Sequence, residues 1–154
     1  VLNYAEHCGV LSAGRLLLDC YYGAAQPMRQ ALGLSPAPQA EQFQGIYTLA
    51  VPHGVTRVFG YRIGPLGYVT DAKSLPDEAV ALLRGVKVLV LNALFHQPHP
   101  THLSFDEAIE TARRVGAERT YLTHLTHHDA HADLEADLPD GVLPAFDGLE
   151  VVVP

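Results

Sequence analysis

Residues 86–125 read "VKVLVLNALFHQPHPTHLSFDEAIETARRVGAERTYLTHL", and this stretch decides the fold. Its first part, "VKVLVLNAL" (86–94), is an apolar run typical of a strand that is covered on both faces. "LSFDEAIETARRVGA" (103–117) has the pattern of a helix, and "RTYLTHL" (119–125) has that of a further strand. A strand, a helix and a strand in succession predict β/α alternation with covering helices.

The helix within this stretch carries start and stop signals at both ends. Ser104 is placed to act as its N-cap, and Glu107, three residues later, completes a capping box. Gly116 stands where a glycine C-cap is expected. These signals predict where the helix begins and ends.

The preceding residues have the pattern of an antiparallel meander. Three strands are predicted, "IYTLAVP" (46–52), "RVFGYRI" (57–63) and "LGYVTDA" (66–72), with glycine-containing turns between them. A helix, "LPDEAVALLRG" (75–85), follows, with Pro76 near its start. We therefore predict an α/β fold in which a β-meander is followed by β/α alternation.

The two ends of the chain complete this prediction. After the central unit we expect a short helix at 128–139 and a closing strand, "GLEVVVP", at 148–154. Val1–Tyr4 is a candidate strand, residues 5–22 fit either a strand or an imperfect helix, and 23–45 is predicted to be a long loop or flap. A length of 154 residues suits a single domain, 1–154.

Charge and composition exclude several classes of function. The formal net charge is -7, and no basic patch is visible, so nucleic acid held through its phosphates is disfavoured as a partner. Cys8 and Cys20 have no zinc-binding or disulfide-framework spacing, which favours reduced thiols in a cytoplasmic protein. The longest apolar stretch is too short to span a bilayer, so we expect no membrane partner.

Histidine or aspartate follows four of the predicted strands. His53, Asp71 and His124 each come at a strand end, and a cluster at 96–102 follows the buried strand. Ligand sites of such sheets lie at the carboxyl ends of the strands. Imidazole and carboxylate groups suit a borderline divalent cation such as zinc. The pattern therefore points to a metal site.

Each of these residues also has a structural interpretation. His53 in "VPHG" fits a turn after a strand, and Asp71 fits a turn or a cap residue for the helix near Pro76. His124 fits a core histidine with a single hydrogen bond. The residues alone leave both interpretations open.

The remaining histidines are weaker candidates. His127 and His131 are four residues apart and would share a face if both are helical, but a solvated acidic helix explains them and His128 as well. In "FHQPHPTHLS", two prolines interrupt His96, His99 and His102, so we expect one functional histidine with two bystanders.

Several segments, read together, resemble the later half of a metallo-β-lactamase-fold hydrolase. They are "VPHG" (51–54), "FGYRI" (59–63), "GYVTDAKSLP" (67–76), "VLVLNAL" (88–94), "HPTHLSFDEAIETARRVGAERTYLTHLTHH" (99–128) and "DGLEVVV" (147–153). The resemblance is closest to the branch that contains the cyclic-phosphate phosphodiesterase of phosphonate breakdown and the ribonuclease Z enzymes. It covers about residues 46–154 and is weaker over 1–45. It implies the C-terminal half of a four-layer αββα sandwich.

The resemblance implies roles for five residues. His53 would be a ligand of one divalent metal, Asp71 would bridge two, and His124 would be a ligand of the second. His102 would be the catalytic residue that interacts with the scissile phosphate, and His127 would lie nearby. Zinc or manganese is the expected cofactor, with two ions in a complete site.

The family's first metal motif, H-x-H-x-D-H, has no counterpart in the sequence. The chain would then be a fragment whose N-terminal half lies elsewhere, a natural half that needs a partner, or a domain that has lost catalysis. A chain that starts without Met, directly in a strand-like segment, favours the fragment interpretation. We therefore expect an incomplete domain.

The function implied by the resemblance is metal-dependent hydrolysis of a small, cyclic phosphodiester through a metal-bridged hydroxide. The alternative is a non-catalytic metal-binding or assembly half-domain, which would expose an apolar sheet face and form homo-oligomers. A third hypothesis is an α/β domain that uses its histidines as a pH sensor without metal.

Overall fold

One seven-stranded sheet organises the part of the chain that the structure, a computed structural model, describes: the backbone of Gln42–Phe43 and residues 46–154. The strands lie side by side in chain order. Successive strands from β1 to β4 pair in antiparallel fashion, and successive strands from β4 to β7 pair in parallel. They are β1 (Gln42–Phe43), β2 (Ile46–His53), β3 (Thr56–Ile63), β4 (Leu66–Val69), β5 (Val88–Asn92), β6 (Arg119–Thr123) and β7 (Val142–Pro144).

Three helices connect the parallel strands. α1 (Asp77–Leu83) joins β4 to β5, α2 (Phe105–Val115) joins β5 to β6, and α3 (His131–Asp137) joins β6 to β7. α1 contacts both β2 and α2, so α1 and α2 cover the same face of the sheet. The meander followed by β/α alternation is therefore confirmed.

The core lies between this sheet face and the helices. Its largest fully buried apolar side chains include Leu49, Leu83, Leu89, Leu91 and Leu122. A Cβ atom at Gly67 of β4 would lie 2.8 Å from Leu83 Cδ2 and 3.0 Å from Leu89 Cδ1. Glycine at this position therefore lets α1 pack directly on the sheet.

The predicted signals of α2 are confirmed at both ends. The Ser104 hydroxyl accepts a hydrogen bond from the backbone N–H of Glu107 at 3.4 Å, and the Glu107 carboxylate accepts one from the backbone N–H of Ser104 at 2.8 Å. Gly116 takes the left-handed conformation, with φ of 74°. These local interactions set where the helix begins and ends.

Three predictions about elements are wrong. Residues 148–154 form no strand, because Val142–Pro144 pairs with β6 and occupies that edge. The last helix begins at His131, since the backbone of Ala130 is extended, so His127 is not on its face. Gln42–Phe43, placed in the predicted loop 23–45, pairs with β2.

Some predictions fall outside the described residues. They concern the candidate strand Val1–Tyr4, residues 5–22, the rest of the loop and both cysteines, and the single domain over 1–154 also stays a prediction. Residues 40–154 form a compact unit. Within the described ranges, no helix has the length and apolar character needed to cross a membrane.

The Glu107 carboxylate makes stability depend on pH. Partial burial raises its pKa, but hydrogen bonds and charge from Lys73, together with the Ser104 backbone N–H, outweigh burial and hold the pKa below the ordinary 4.5. A lowered folded-state pKa contributes stability that is present above the unfolded value and is lost as pH falls through the folded value. We expect Glu107→Gln to be less stable than the wild type at pH 7.

This difference in the free energy of urea unfolding should shrink as the pH falls below about 4.5. Glu110→Gln, on an exposed part of the same helix, is the matched control and should have little effect. A Glu107→Gln deficit that is unchanged between pH 7 and pH 3 would contradict this assignment.

Candidate metal centre

The sheet brings the predicted strand-end residues to one edge. β2 and β4 are both antiparallel to β3, so β2 runs in the same direction as the parallel strands β4 to β7. His53 is the last residue of β2, Asp71 lies just beyond β4, His102 lies in the loop after β5, and His124 follows β6 directly. Their side chains therefore meet at the carboxyl ends of the strands.

Short distances connect all four side chains. His102 Nε2 lies 3.3 Å from His53 Nε2 and 3.4 Å from Asp71 Oδ1. His124 Nδ1 lies 3.7 Å from the same Asp71 oxygen. The structure thus brings together the four residues that the sequence predicted, while their individual roles stay predictions.

The donor set fits a divalent cation. His53, Asp71 and His102 each offer one ligand atom, and these atoms lie within 4.8 Å of one another. Zinc binds imidazole nitrogen at about 2.0–2.1 Å, so tetrahedral ligand atoms lie about 3.3 Å apart. The distances of 3.3 and 3.4 Å that involve His102 match this spacing.

Backbone hydrogen bonds next to the site residues hold the strand ends together. Lys73 N donates to Pro52 O at 2.7 Å, which connects the Asp71 loop to the end of β2. Leu103 N donates to Ala72 O at 3.0 Å and connects the His102 loop to Asp71. Ala93 N donates to Thr123 O at 2.9 Å, beside His124.

Asn92 is the central residue of this framework. Its side chain is fully buried; Oδ1 accepts from Ala72 N at 2.8 Å and Nδ2 donates to Ala72 O at 3.0 Å. The amide thereby fixes the backbone next to Asp71. The sequence analysis missed this residue, although it is the one polar residue in the strand "VLVLN" (88–92).

The helix-cap alternative for Asp71 and the core-histidine alternative for His124 are wrong. Pro76 is the N-cap of α1, without a side-chain cap bond, and Asp71 accepts from the Thr70 hydroxyl at 3.3 Å. The His124 side chain is 40% exposed, so it is no core histidine.

The backbone of His124 is strained. Its φ of 61° makes it the only non-glycine residue with positive φ within residues 46–154. Such a conformation costs free energy and persists where the surroundings enforce it, often at functional sites. Here it directs the imidazole toward Asp71.

His102 is biased toward its neutral form. Burial lowers its pKa, and the imidazoles of His124 and His53 add to this effect. The hydrogen bond and charge of Asp71 raise the pKa but do not compensate, so it lies below the ordinary 6.5. A neutral ring is the form that binds a metal.

The outer histidines have partners around this centre. His96 Nε2 lies 3.3 Å from Asp129 Oδ1. The His127 ring stacks on His128 with a centroid distance of 4.7 Å, and His131 packs edge-on against Phe146. His99, predicted to be a bystander, has its Nδ1 3.4 Å from His102 Nδ1 and so touches the site.

The contribution of the Asn92 amide to stability can be measured by urea unfolding. We expect Asn92→Ala to lower the free energy of urea unfolding by about 1–3 kcal/mol, because it leaves the buried backbone N–H of Ala72 without its hydrogen-bond partner. Gln97→Ala, which removes an exposed amide, is the control and should change it little. Equal effects of the two substitutions would contradict the proposed framework.

The strain at His124 predicts an unusual order of stabilities. His124→Gly should be more stable than His124→Ala by about 1–2 kcal/mol, because glycine adopts positive φ without the Cβ penalty. At His128, whose φ is not positive, the alanine variant should be the more stable one. Urea unfolding of the four variants tests this order. If His124→Ala were more stable than His124→Gly, the backbone of His124 would not be strained.

Comparisons with known proteins agree with this geometry. Residues 39–125, more than half of the chain, match the beta-lactamase superfamily domain. The crystal structure of a diphosphatase from the PhnP family superposes with a TM-score of 0.69 and 34% identity, over 83% of this chain and 54% of that one. The present chain thus spans about half the length of this solved relative.

Two further proteins match this chain over a smaller share of their own length. An octanoyltransferase of Porphyromonas gingivalis is 32% identical over 107 residues, which are 68% of this chain and 22% of that protein. The short form of human tRNase Z superposes with a TM-score of 0.56 over 75% of this chain and 48% of that one; at 14% identity it shows the fold alone. The chain therefore belongs to the beta-lactamase superfamily domain family and has the metallo-β-lactamase fold.

Proposed function

We propose that this chain is part of a metal-dependent hydrolase that cleaves a small phosphodiester. The observation that carries the proposal is the convergence of His53, Asp71, His102 and His124 at one sheet edge, at spacings that suit a divalent cation. The 34% identical relative is a diphosphatase, which supports chemistry at a phosphate group.

The metal-binding role falls to His53, Asp71 and His124. Asp71 is suited to hold two ions, because it has two carboxylate oxygens and Oδ1 already faces both His102 and His124. Zinc or manganese fits the nitrogen and oxygen donors. When bound, such ions supply Lewis acidity toward a phosphoryl oxygen and lower the pKa of water to about 7.

His102 is placed to act on the phosphate. Its ring contacts both His53 and Asp71, so a phosphate bound at the centre would lie against it. The side chain is only 11% exposed, and a site that excludes water strengthens its interactions with developing charge.

The charge of the chain favours a small substrate. A net charge of -7 repels a polyanion, whereas a single phosphodiester can be neutralised by the site itself. We therefore propose a small phosphodiester as the substrate, and the resemblance to the cyclic-phosphate phosphodiesterase branch favours a cyclic one. Octanoyl transfer is not proposed, since the chain spans only 22% of the relative with that name.

A non-catalytic metal-binding half-domain is the second candidate. The described residues supply four potential ligands, and the chain spans 54% of the diphosphatase. Metal binding without turnover would identify this alternative.

Elemental analysis and zinc titration of the full chain test the proposal. We expect the wild type to bind zinc. Asp71→Asn and His53→Gln should weaken zinc binding at least about 100-fold, because the loss of a metal ligand costs more affinity than the loss of an outer-shell partner. His131→Gln, outside the centre, is the matched control. Wild-type affinity in Asp71→Asn would refute the site.

Turnover of bis(p-nitrophenyl) phosphate by the zinc-loaded chain separates the two candidates. Hydrolysis that is lost in Asp71→Asn and retained in His131→Gln supports the hydrolase. Zinc binding without hydrolysis supports the half-domain.

A further inference from the structure

The Lys73 side chain connects the two segments that carry Asp71 and His102. Lys73 Nζ donates to both carboxylate oxygens of Glu107, at 2.5 Å to Oε1 and 2.7 Å to Oε2. Glu107 Oε2 also accepts from the backbone N–H of Ser104 at 2.8 Å. Lys73 follows Asp71 by two residues, and Ser104 follows His102 by two residues. One carboxylate therefore holds the two segments together.

This ion pair is the third of three successive contacts between the segments. Asp71 Oδ1 lies 3.4 Å from His102 Nε2 in the candidate site. One residue further along each segment, Leu103 N donates to Ala72 O at 3.0 Å. The ion pair comes next in chain order. The distance between the Asp71 carboxylate and the His102 ring therefore depends on how firmly the ion pair docks the two segments.

The geometry of the ion pair is better than that of most surface ion pairs. Exposed pairs contribute little to stability, because water screens the charges and two flexible side chains lose conformational freedom. Here the side chains of Lys73 and Glu107 are 28% and 38% exposed, and both carboxylate oxygens contact the ammonium group. The hydrogen bond from Ser104 N already orders the Glu107 side chain, so the pairing costs little further entropy.

Direct contact with the substrate is the alternative role for Lys73. Ammonium groups are common phosphate ligands, and Lys73 is close to Asp71 in the sequence. The Glu107 carboxylate already neutralises this ammonium group, so its charge is not offered to an anion at the centre. The two roles differ in their consequences. Releasing Lys73 from Glu107 would strengthen substrate binding in the contact role and would misplace the catalytic group in the positioning role.

We infer that Lys73 and Glu107 form a positioning pair that holds His102 at its distance from Asp71. This inference rests on the proposed hydrolase, in which His102 acts on the phosphate and Asp71 holds the metal ions. Neither member of the pair touches the substrate. A misplacement of about 1 Å can lower a rate about 100-fold, so a pair outside the centre is able to control the reaction.

NMR of the full, metal-free chain with ¹⁵N-labelled histidine is the first test, because it reads the His102 ring without turnover. Lys73→Met and Glu107→Gln should both shift the ring nitrogen resonances of His102, and in the same direction, since each breaks the same contact. Glutamine at position 107 keeps the capping box, so the start of α2 is preserved. A purely electrostatic effect would have opposite signs, because one variant removes a positive charge and the other removes a negative charge.

Control variants separate positioning from a general loss of structure, and circular dichroism checks that each variant is folded. Lys73→Arg keeps a cation that can contact both carboxylate oxygens and should restore the wild-type resonances. Lys87→Met breaks the exposed ion pair of Lys87 with Glu118, which lies at the amino ends of β5 and β6, and should leave His102 unchanged. The double variant Lys73→Met/Glu107→Gln should shift the resonances no further than either single variant, because both substitutions act through one contact.

Turnover of bis(p-nitrophenyl) phosphate by the zinc-loaded chain is the second test. Lys73→Met and Glu107→Gln should each lower kcat about 10-fold or more and change KM less than about 3-fold. Lys73→Arg should keep most of the activity. A lower KM with an undiminished kcat in Glu107→Gln would mean that Lys73 binds the substrate, and would overturn the positioning role.

The outcomes distinguish this inference from the proposed function. The positioning role is overturned, even if zinc binds, by His102 resonances that stay unchanged in folded Lys73→Met or that move in opposite directions in Lys73→Met and Glu107→Gln. Zinc binding that is insensitive to Asp71→Asn overturns the proposed metal centre, whereas the NMR spectra still report whether the pair holds the His102 ring.

Discussion

The amide of Asn92 is the interaction on which the candidate site depends. It satisfies both backbone groups of Ala72 inside the core, where unpaired polar groups are costly. Ala72 O also accepts from Leu103 N, so one peptide connects the loops that carry Asp71 and His102. Backbone hydrogen bonds and one buried amide thus bring residues that are distant in sequence together at the site.

This arrangement carries an electrostatic cost. Asp71 Oδ1 lies within 3.7 Å of nitrogen atoms from both His102 and His124, while burial disfavours a charged His102. An imidazole nitrogen that carries no hydrogen and faces this carboxylate directs a lone pair at it, and a bound cation would relieve that repulsion.

Local signals made a large part of the fold predictable. The capping box of Ser104 and Glu107 and the glycine at 116 fix α2 within a few residues. The strand ends at His53, Asp71 and His124 were also accessible, because the meander sets the direction of β2 and hence the edge at which these residues meet. The ends of α2 can be predicted from neighbouring residues, and the strand-end residues can be predicted from the order and direction of the strands.

The features that the sequence did not predict all depend on residues that are distant in the chain. The valine-rich segment 148–154 has the composition of a strand, but β propensity is realised only against a free edge, and Val142–Pro144 occupies the edge of β6. Asn92 acts through Ala72, a residue that the pattern of apolar and polar positions does not link to it. The positive φ of His124 likewise arises where Ala93 N holds the preceding carbonyl. The sequence therefore identified residues that meet at the candidate site, whereas tertiary hydrogen bonds determine how their side chains are oriented.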